Sequence, residues 1–334
     1  MPQVRNGDFQ IVDLSGTLEL VPRVDSLVTN MNLFDTHMGV TTVAQVERVK
    51  EVAFEIKAKQ RGGERQFVNS ETADLKNLNI PFFPLDRTIT PADVQNFRKY
   101  FTAEAPRTVQ DVVTRAVARI RRDHAQLLEV AQINAIMGKS YAPGDTNCQY
   151  DYFTVFGVEQ VVANIAFTDP AVDPMAVLEE KGRASIIDNA GDNAGSYELV
   201  VLASRKWFSA LVAHPMIRTA YQYYASNQEP LRRRLGGNNI NRVFEHGGVT
   251  FIEDISGIIP AGEAYMMPRG ISEMFQLHYA PADTVVDANT PAQELYIWYK
   301  YSSFFRTEKI ETETSFLAIN TRPELVIKLT GTFE

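Results

Sequence analysis

The chain has 334 residues, 45% of them hydrophobic and 22% charged, which excludes wholesale disorder and allows a core that needs no disulfide or metal. Its 41 Asp plus Glu outnumber 33 Lys plus Arg, a balance that argues against tight gripping of a phosphate backbone. The single cysteine, Cys148, cannot close an intramolecular bridge and fits a reducing compartment. The N-terminal residues Met1–Gln10 lack a signal-like apolar run, and no stretch approaches the roughly 18 apolar residues of a membrane span.

Met1 to Thr42 mixes short apolar pieces with Gly7, Gly16, Pro22 and Gly39, and reads as an extended arm with little helix. Such a segment offsets its ordering entropy, about 1–2 kcal/mol per residue, only by lying on something else, and a second subunit is one candidate. From Val43 the alternation of Val52, Phe54, Ile56 and Ala58 with Glu51, Glu55, Lys57 and Lys59 marks a half-buried strand. Gly62 and Gly63, within Gln60–Arg65, suit a hairpin turn, and Gln66, Phe67 and Val68 begin the return. The string Pro81-Phe82-Phe83-Pro84 is too proline-rich for a central strand. Pro91 opens a short helix predicted to reach Tyr100.

Thr108–Gly138 carries the clearest pattern: Val112, Ala116, Ile120, Leu127, Ala131 and Ala135 recur at helical steps, with charged residues on the other faces. Asp111 suits the helix start and Gly138 its end, giving a helix of roughly 46 Å. Tyr150–Phe156 and Val161–Phe167 read as strands, Pro174–Asp188 as a helix, and Leu199–Leu202 as a fully buried strand feeding helices at Arg205–Val212 and Pro215–Tyr224. Gln228–Arg242, with Arg232, Arg233 and Arg234, is a polar loop. Strands follow at Val249–Ile252, Tyr265–Pro268, Glu273–His278, Gln293–Tyr301, Glu308–Ile319 and Glu324–Leu329, so the fold class is α+β with mostly non-local pairing.

Candidate chemistry is sparse. Gly138-Lys139-Ser140 has the end of a phosphate-binding loop but follows a helix and has Ile133 where the first glycine belongs. His246-Gly247-Gly248 resembles an oxyanion segment, yet no Gly-x-Ser-x-Gly elbow exists, and a turn before the next strand explains it better. His37, His124, His214, His246 and His278 contain no local metal-binding pair. Asp169, Asp173, Asp188 and Asp192 sit where aspartate serves turns, and Cys148 has no local histidine to activate it. No constellation of residue types converges, so no catalytic, cofactor or metal site is expected and a structural role is favoured. A hydrolase using His246 with Asp254 is the enzyme-class alternative.

The order of parts, an arm, a long two-stranded loop, a long helix, a mixed α/β region and a run of strands, resembles the major capsid proteins of tailed bacteriophages, and more closely the lambda-type major capsid protein E family. The residues that carry the resemblance are Arg61-Gly62-Gly63 with Phe67, then Ala135, Gly138, Lys139 and Tyr141 at the helix exit. Gly247–Val249 to Ser256-Gly257 and the closing Thr314, Ser315, Leu317, Pro323 and Val326–Leu329 complete it.

The resemblance implies the tailed-phage capsid fold, shared with encapsulins and the herpesvirus capsid floor. It divides the chain into an arm at 1–42, an extended β-hairpin loop at 43–90, a peripheral domain at 91–173 and 269–334 with its spine helix at 108–138, and an axial domain at 174–268. It implies a virion protein assembled in the bacterial host cytoplasm, which self-associates into hexamers and pentamers of an icosahedral shell. Scaffolding, portal and decoration proteins are further partners, packaged double-stranded DNA is touched only weakly, and no membrane is involved. Intersubunit contacts are expected from Arg61, Gly62, Gly63, Glu64, Arg65 and Phe67 in the extended loop and from the Arg232–Arg234 loop, with spine charges at Arg119 and Arg122. An encapsulin-type compartment shell is the alternative within the same fold.

Overall fold

The computed structural model describes residues 11–13, 26–50, 72–94, 108–140, 149–190, 197–218, 221, 241–302 and 306–333. In chain order, the first half forms β1 (Ile11–Asp13), α1 (Leu27–Met31), β2 (Asp35–Met38), β3 (Val43–Lys50), β4 (Thr72–Asn79), β5 (Phe82–Pro84), β6 (Arg87–Ile89) and α2 (Val109–Ile136). There follow β7 (Lys139–Ser140), β8 (Tyr150–Asp151), α3 (Tyr152–Phe156), β9 (Val162–Ala166), α4 (Pro174–Val177), a π-helical stretch Leu178–Arg183 and α5 (Ala184–Ala190). The remainder is β10 (Glu198–Ser204), α6 (Arg205–Ala213), β11 (Val243–His246), β12 (Val249–Asp254), β13 (Glu263–Arg269), β14 (Phe275–Tyr279), β15 (Tyr296–Tyr301), β16 (Glu308–Asn320) and β17 (Ile327–Thr332).

Two mixed sheets dominate. The first runs β1-β15-β16-β14-β2, with β5 and β6 also paired to β16. The thirteen-residue β16 is its axis because its length lets β14 and β15 pair with successive stretches of it, at Phe316–Asn320 and Glu308–Glu313. The second runs β11-β12-β10-β13-β17-β9. Its centre, β10, is the continuous apolar Leu199–Ala203, paired parallel to β12 and antiparallel to β13, and every side chain from Leu199 to Ser204 is buried. A strand covered on both faces has no room for the polar alternation of a half-exposed one.

The long helix is α2. Thr108 caps its start in a reciprocal box with Asp111, and Gly138 leaves it at φ +86°, a left-handed step that glycine takes without penalty. At 1.5 Å per residue its 28 residues span about 42 Å. The predicted stripe of Val112, Ala116, Ile120, Ala131 and Ala135 is buried against the first sheet and the main core.

Several expectations change. Tyr152–Phe156 is helical, not extended: Asp151 accepts hydrogen bonds from the Phe153 and Thr154 amides, and Gly157 ends the turn at φ +63°. Aspartate capping outweighs the strand preference of the aromatic residues. The arm is not merely extended. Its helix α1 buries Val28 and Met31, and β2 pairs parallel to β14, so residues 26–42 lie on the chain's own core. The second sheet also reaches outside residues 174–268, because β9 and β17 lie at one side of it with Ala163, Ile165, Ile327 and Leu329 buried. Pro91 opens a short 3-10 turn, Pro91–Asp93, and residues 95–100 lie outside the described residues.

Candidate functional site

The surfaces expected to meet another subunit start at the hairpin root. β3 and β4 pair antiparallel from Val43↔Asn79 to Lys50↔Thr72, eight residue pairs that at about 3.3 Å each extend for roughly 26 Å. Ala44, Val46 and Leu78 bury one face in the main core, whereas Leu75, farther along, is 56% exposed. A two-stranded hairpin with one face in the core and Leu75 exposed on the other gains from a covering partner, since two strands alone are marginal in water. The predicted contact residues Arg61, Gly62, Gly63, Glu64, Arg65 and Phe67 lie outside the described residues, as do Arg232, Arg233, Arg234 and Cys148.

The outer face of α2 is the second surface. Arg119 and Arg122 are both exposed, and the Arg119 Nε lies 3.9 Å from Asp123 Oδ2, a loose pair with the arginine 70% accessible. Both guanidiniums are therefore open to solvent and available for longer-range charge contacts.

Beneath that face, α2 buries polar residues. Glu129 Oε1 accepts from the Val28 amide at 2.9 Å, and Gln132 Oε1 accepts from Thr29 Oγ1 at 3.1 Å. These bonds join α1 to the spine across about a hundred residues of chain. Burial pushes the Glu129 carboxyl up, against the stabilising donors of Val28, Ser26 and Thr29. His124, one turn after Ile120, is also buried. Its Nε2 lies 3.4 Å from Thr312 Oγ1, its Nδ1 finds no partner, and desolvation lowers its pKa to about 4 against the opposing pull of Asp123. Their spacing was the available signal: His124 and Ala131 stand seven residues apart, on the helix stripe that faces inward.

Sheet pairing also brings together residues far apart in sequence. β2 and β14 align His37 with His278, whose rings stack at 4.8 Å, and His37 Nε2 bonds Glu273 Oε2 at 2.9 Å. Burial lowers the His278 pKa to about 4, helped by His37. At the foot of the second sheet, Arg242 grips Glu253 through two bonds of 2.7 Å, donates to Ser209 Oγ at 3.0 Å and lies over the Phe208 ring at 4.9 Å. That pairing lowers the Glu253 pKa and ties Arg242, which precedes β11, to β12 and α6.

The motifs weighed for chemistry have structural occupations. Gly138 ends α2 and Lys139–Ser140 begins a strand, so the order is helix then strand, the reverse of a phosphate loop. Gly247 and Gly248, at φ +60° and +74°, make the two-residue turn between β11 and β12, while His246 stacks on Phe244. Asp169 and Asp173 bind the amides of Ala171 and Met175, Asp254 binds Ser256 through its amide and hydroxyl, and Asp188 is exposed. Among the described residues no three His, Cys, Asp or Glu side chains form a metal-binding group, and no helix is long and apolar enough to cross a membrane.

Known proteins share this arrangement. The major capsid protein of Pseudomonas phage KPP10 is 28% identical over 349 residues, covering 98% of each chain. That of Salmonella phage Felix O1 is 24% identical over 356 residues, covering 96% of this chain and 95% of the relative. Among solved structures, a subunit from the asymmetric unit of the bacteriophage PhiM1 mature capsid superposes with a TM-score of 0.53 at 13% identity, over 90% of this chain and 85% of that one. A subunit of the cyanophage Pam1 capsid gives 0.52 at 10% identity, over 89% and 87%. These two share the fold. A family model described as phage major capsid protein E matches residues 10–331, and the chain belongs to that family.

Proposed function

We propose that this chain is the major capsid protein of a tailed-phage head, building the shell by self-association into hexamers and pentamers around double-stranded DNA. Its family membership over residues 10–331 carries the structural capsid role. The rooted hairpin β3–β4, with Leu75 exposed on the face away from the core, supports the extended loop as the element that lies over a neighbour. In this reading the loop residues Arg61 to Phe67 contact the adjacent subunit, the Arg232–Arg234 loop contributes at the axial end, and Arg119 and Arg122 meet opposite charge or the genome. The arm, extended loop, peripheral and axial parts remain the working division, with β9 and β17 added to the axial sheet. Heterologous contacts of this kind close into rings, and rings into shells.

The role is structural, without catalysis, and assembly takes place in the host cytoplasm with scaffolding, portal and decoration proteins as partners. The test is light-scattering mass and negative-stain microscopy on the full chain expressed alone. Closed megadalton shells or capsomer rings are expected, and deletion of residues 60–66 removes them while leaving a folded subunit. A folded 37.5 kDa monomer at high concentration overturns the proposal, and normal shells from the deletion overturn the loop assignment.

A further inference from the structure

The connection from β14 to β15 holds an unusual pair. Val285 is 96% exposed and Val286 86%, whereas no other large apolar side chain among the described residues exceeds the 56% of Leu75. Single exposed apolar residues are ordinary, but an adjacent pair displayed this fully is a mark of contact.

The loop that displays them is held in shape. Thr284 Oγ1 donates to Asp287 Oδ2 at 2.5 Å and accepts from the Asp287 amide at 3.1 Å. Thr290 donates to the Asp287 carbonyl through its hydroxyl at 2.7 Å and its amide at 3.1 Å. At the feet, the Ala280 amide donates to Ser315 O and the Ala292 amide to Gly39 O, both at 2.9 Å, with Ala280, Ala282 and Ala292 buried. A preshaped ridge loses little entropy when a partner covers it.

Negative charge flanks the ridge. Asp283 donates its amide to Glu313 Oε2 at 3.2 Å, and Lys309 bridges Asp86 and Glu311 at 2.8 and 2.9 Å. Burial raises the Glu313 carboxyl and the nearby Asp283, Asp86 and Glu311 add to the rise, so carboxylates outnumber the Lys309 ammonium in this corner. The same chain presents exposed arginines, Arg119 and Arg122, elsewhere on its surface.

We propose that the Val285–Val286 ridge seats on a second copy of this chain, against a surface that carries exposed arginine, as one of the contacts between subunits. This rests on the shell-forming function proposed above. Charge complementarity within one sequence favours a like partner, because a copy brings both the acidic ridge and the basic surface.

The test uses the full chain carrying Cys148→Ser and Val286→Cys, labelled with a maleimide dye as free subunits and as assembled shells. Assembly is expected to slow labelling at least about tenfold. In a second variant, Val285→Ser with Val286→Ser, shell yield is expected to fall by a similar factor while the subunit melting temperature stays unchanged. A folded Val286→Cys subunit that cannot assemble supports the contact as well. Equal labelling in subunits and shells overturns it, as does protection that arises only when another virion protein is added. If the wild-type chain forms no shells or rings, the assembly reading fails first, and the inference with it.

Discussion

Acid should loosen the subunit through the spine helix, and His124 supplies a magnitude. Its imidazole is 9% exposed with a pKa lowered from 6.5 to about 4, the main cause being desolvation. The folded state therefore binds its proton less readily than the unfolded chain, so stability is intact above pH 6.5 and is lost as pH falls toward 4. The full shift corresponds to roughly 3 kcal/mol, and at pH 5 the loss is about 2 kcal/mol. Glu129 works the other way, since its raised carboxyl pKa adds stability as pH falls through its folded value, and His278 works in the same direction as His124. Comparing wild type with His124→Leu cancels both contributions. Urea unfolding of dissociated subunits at pH 7 and pH 5 should show the variant losing about 2 kcal/mol less than wild type between the two conditions. If both proteins lose the same amount within about 0.5 kcal/mol, His124 is not held neutral by burial and the reasoning fails.

Other substitutions probe the framework. Gly138→Ala combines a side chain at φ +86° with a Cβ only 2.2 Å from a Phe153 ring carbon, and should cost roughly 2–4 kcal/mol, read as a lowered unfolding midpoint. A cost below about 0.5 kcal/mol would mean the helix exit relaxes freely. Arg242→Ala strands the Glu253 carboxylate, which is 5% exposed, but the guanidinium it loses is 36% exposed, so the expected loss is about 2–3 kcal/mol and not the larger figure of a fully buried pair. Arg242→Lys should recover only part of it, because an ammonium cannot make both 2.7 Å bonds of the fork. Reversing Arg119 and Arg122 to Glu should leave subunit stability within about 0.5 kcal/mol while reducing assembly or genome packaging, and unchanged behaviour in both assays removes those charges from the mechanism.

Local pattern was legible where one element satisfies it alone. The spine helix, its Thr108–Asp111 start and Gly138 exit, the buried strand around Leu199–Leu202 and the long strand β16 all follow from periodicity and capping in their own stretch. The errors cluster where distant segments decide. Residues 26–42 looked like an arm because α1 is short and β2 has few apolar residues; what holds them is Glu129 and the strand β14, both far away in sequence. The pairing of β9 with β17 was illegible for the same reason, since they run parallel across about 165 residues and no local signal announces a parallel partner. Arg119 and Arg122 are surface charges, as charged residues on the outer helix faces predict, whereas the exposed Val285–Val286 pair has no sequence signal because two valines among polar neighbours resemble an ordinary loop.

The polar groups spent inside α2 make sense in terms of leverage. Only four residues separate β2 from β3, so the direction of the hairpin is set by how firmly residues 26–46 are held. Over a root of roughly 26 Å, one degree of tilt displaces the far end by about 0.5 Å, and a longer loop magnifies this further. Apolar packing of Val28, Met31, Ala44 and Val46 supplies attachment but tolerates sliding, whereas the bonds from the Val28 amide to Glu129 and from Thr29 to Gln132 fix one register of α1 on the spine. The raised Glu129 carboxyl is the energetic cost of that fixation. On the proposed reading, in which the hairpin's far end meets a neighbouring subunit, a defined angle is worth more than the stability an all-apolar interface would add.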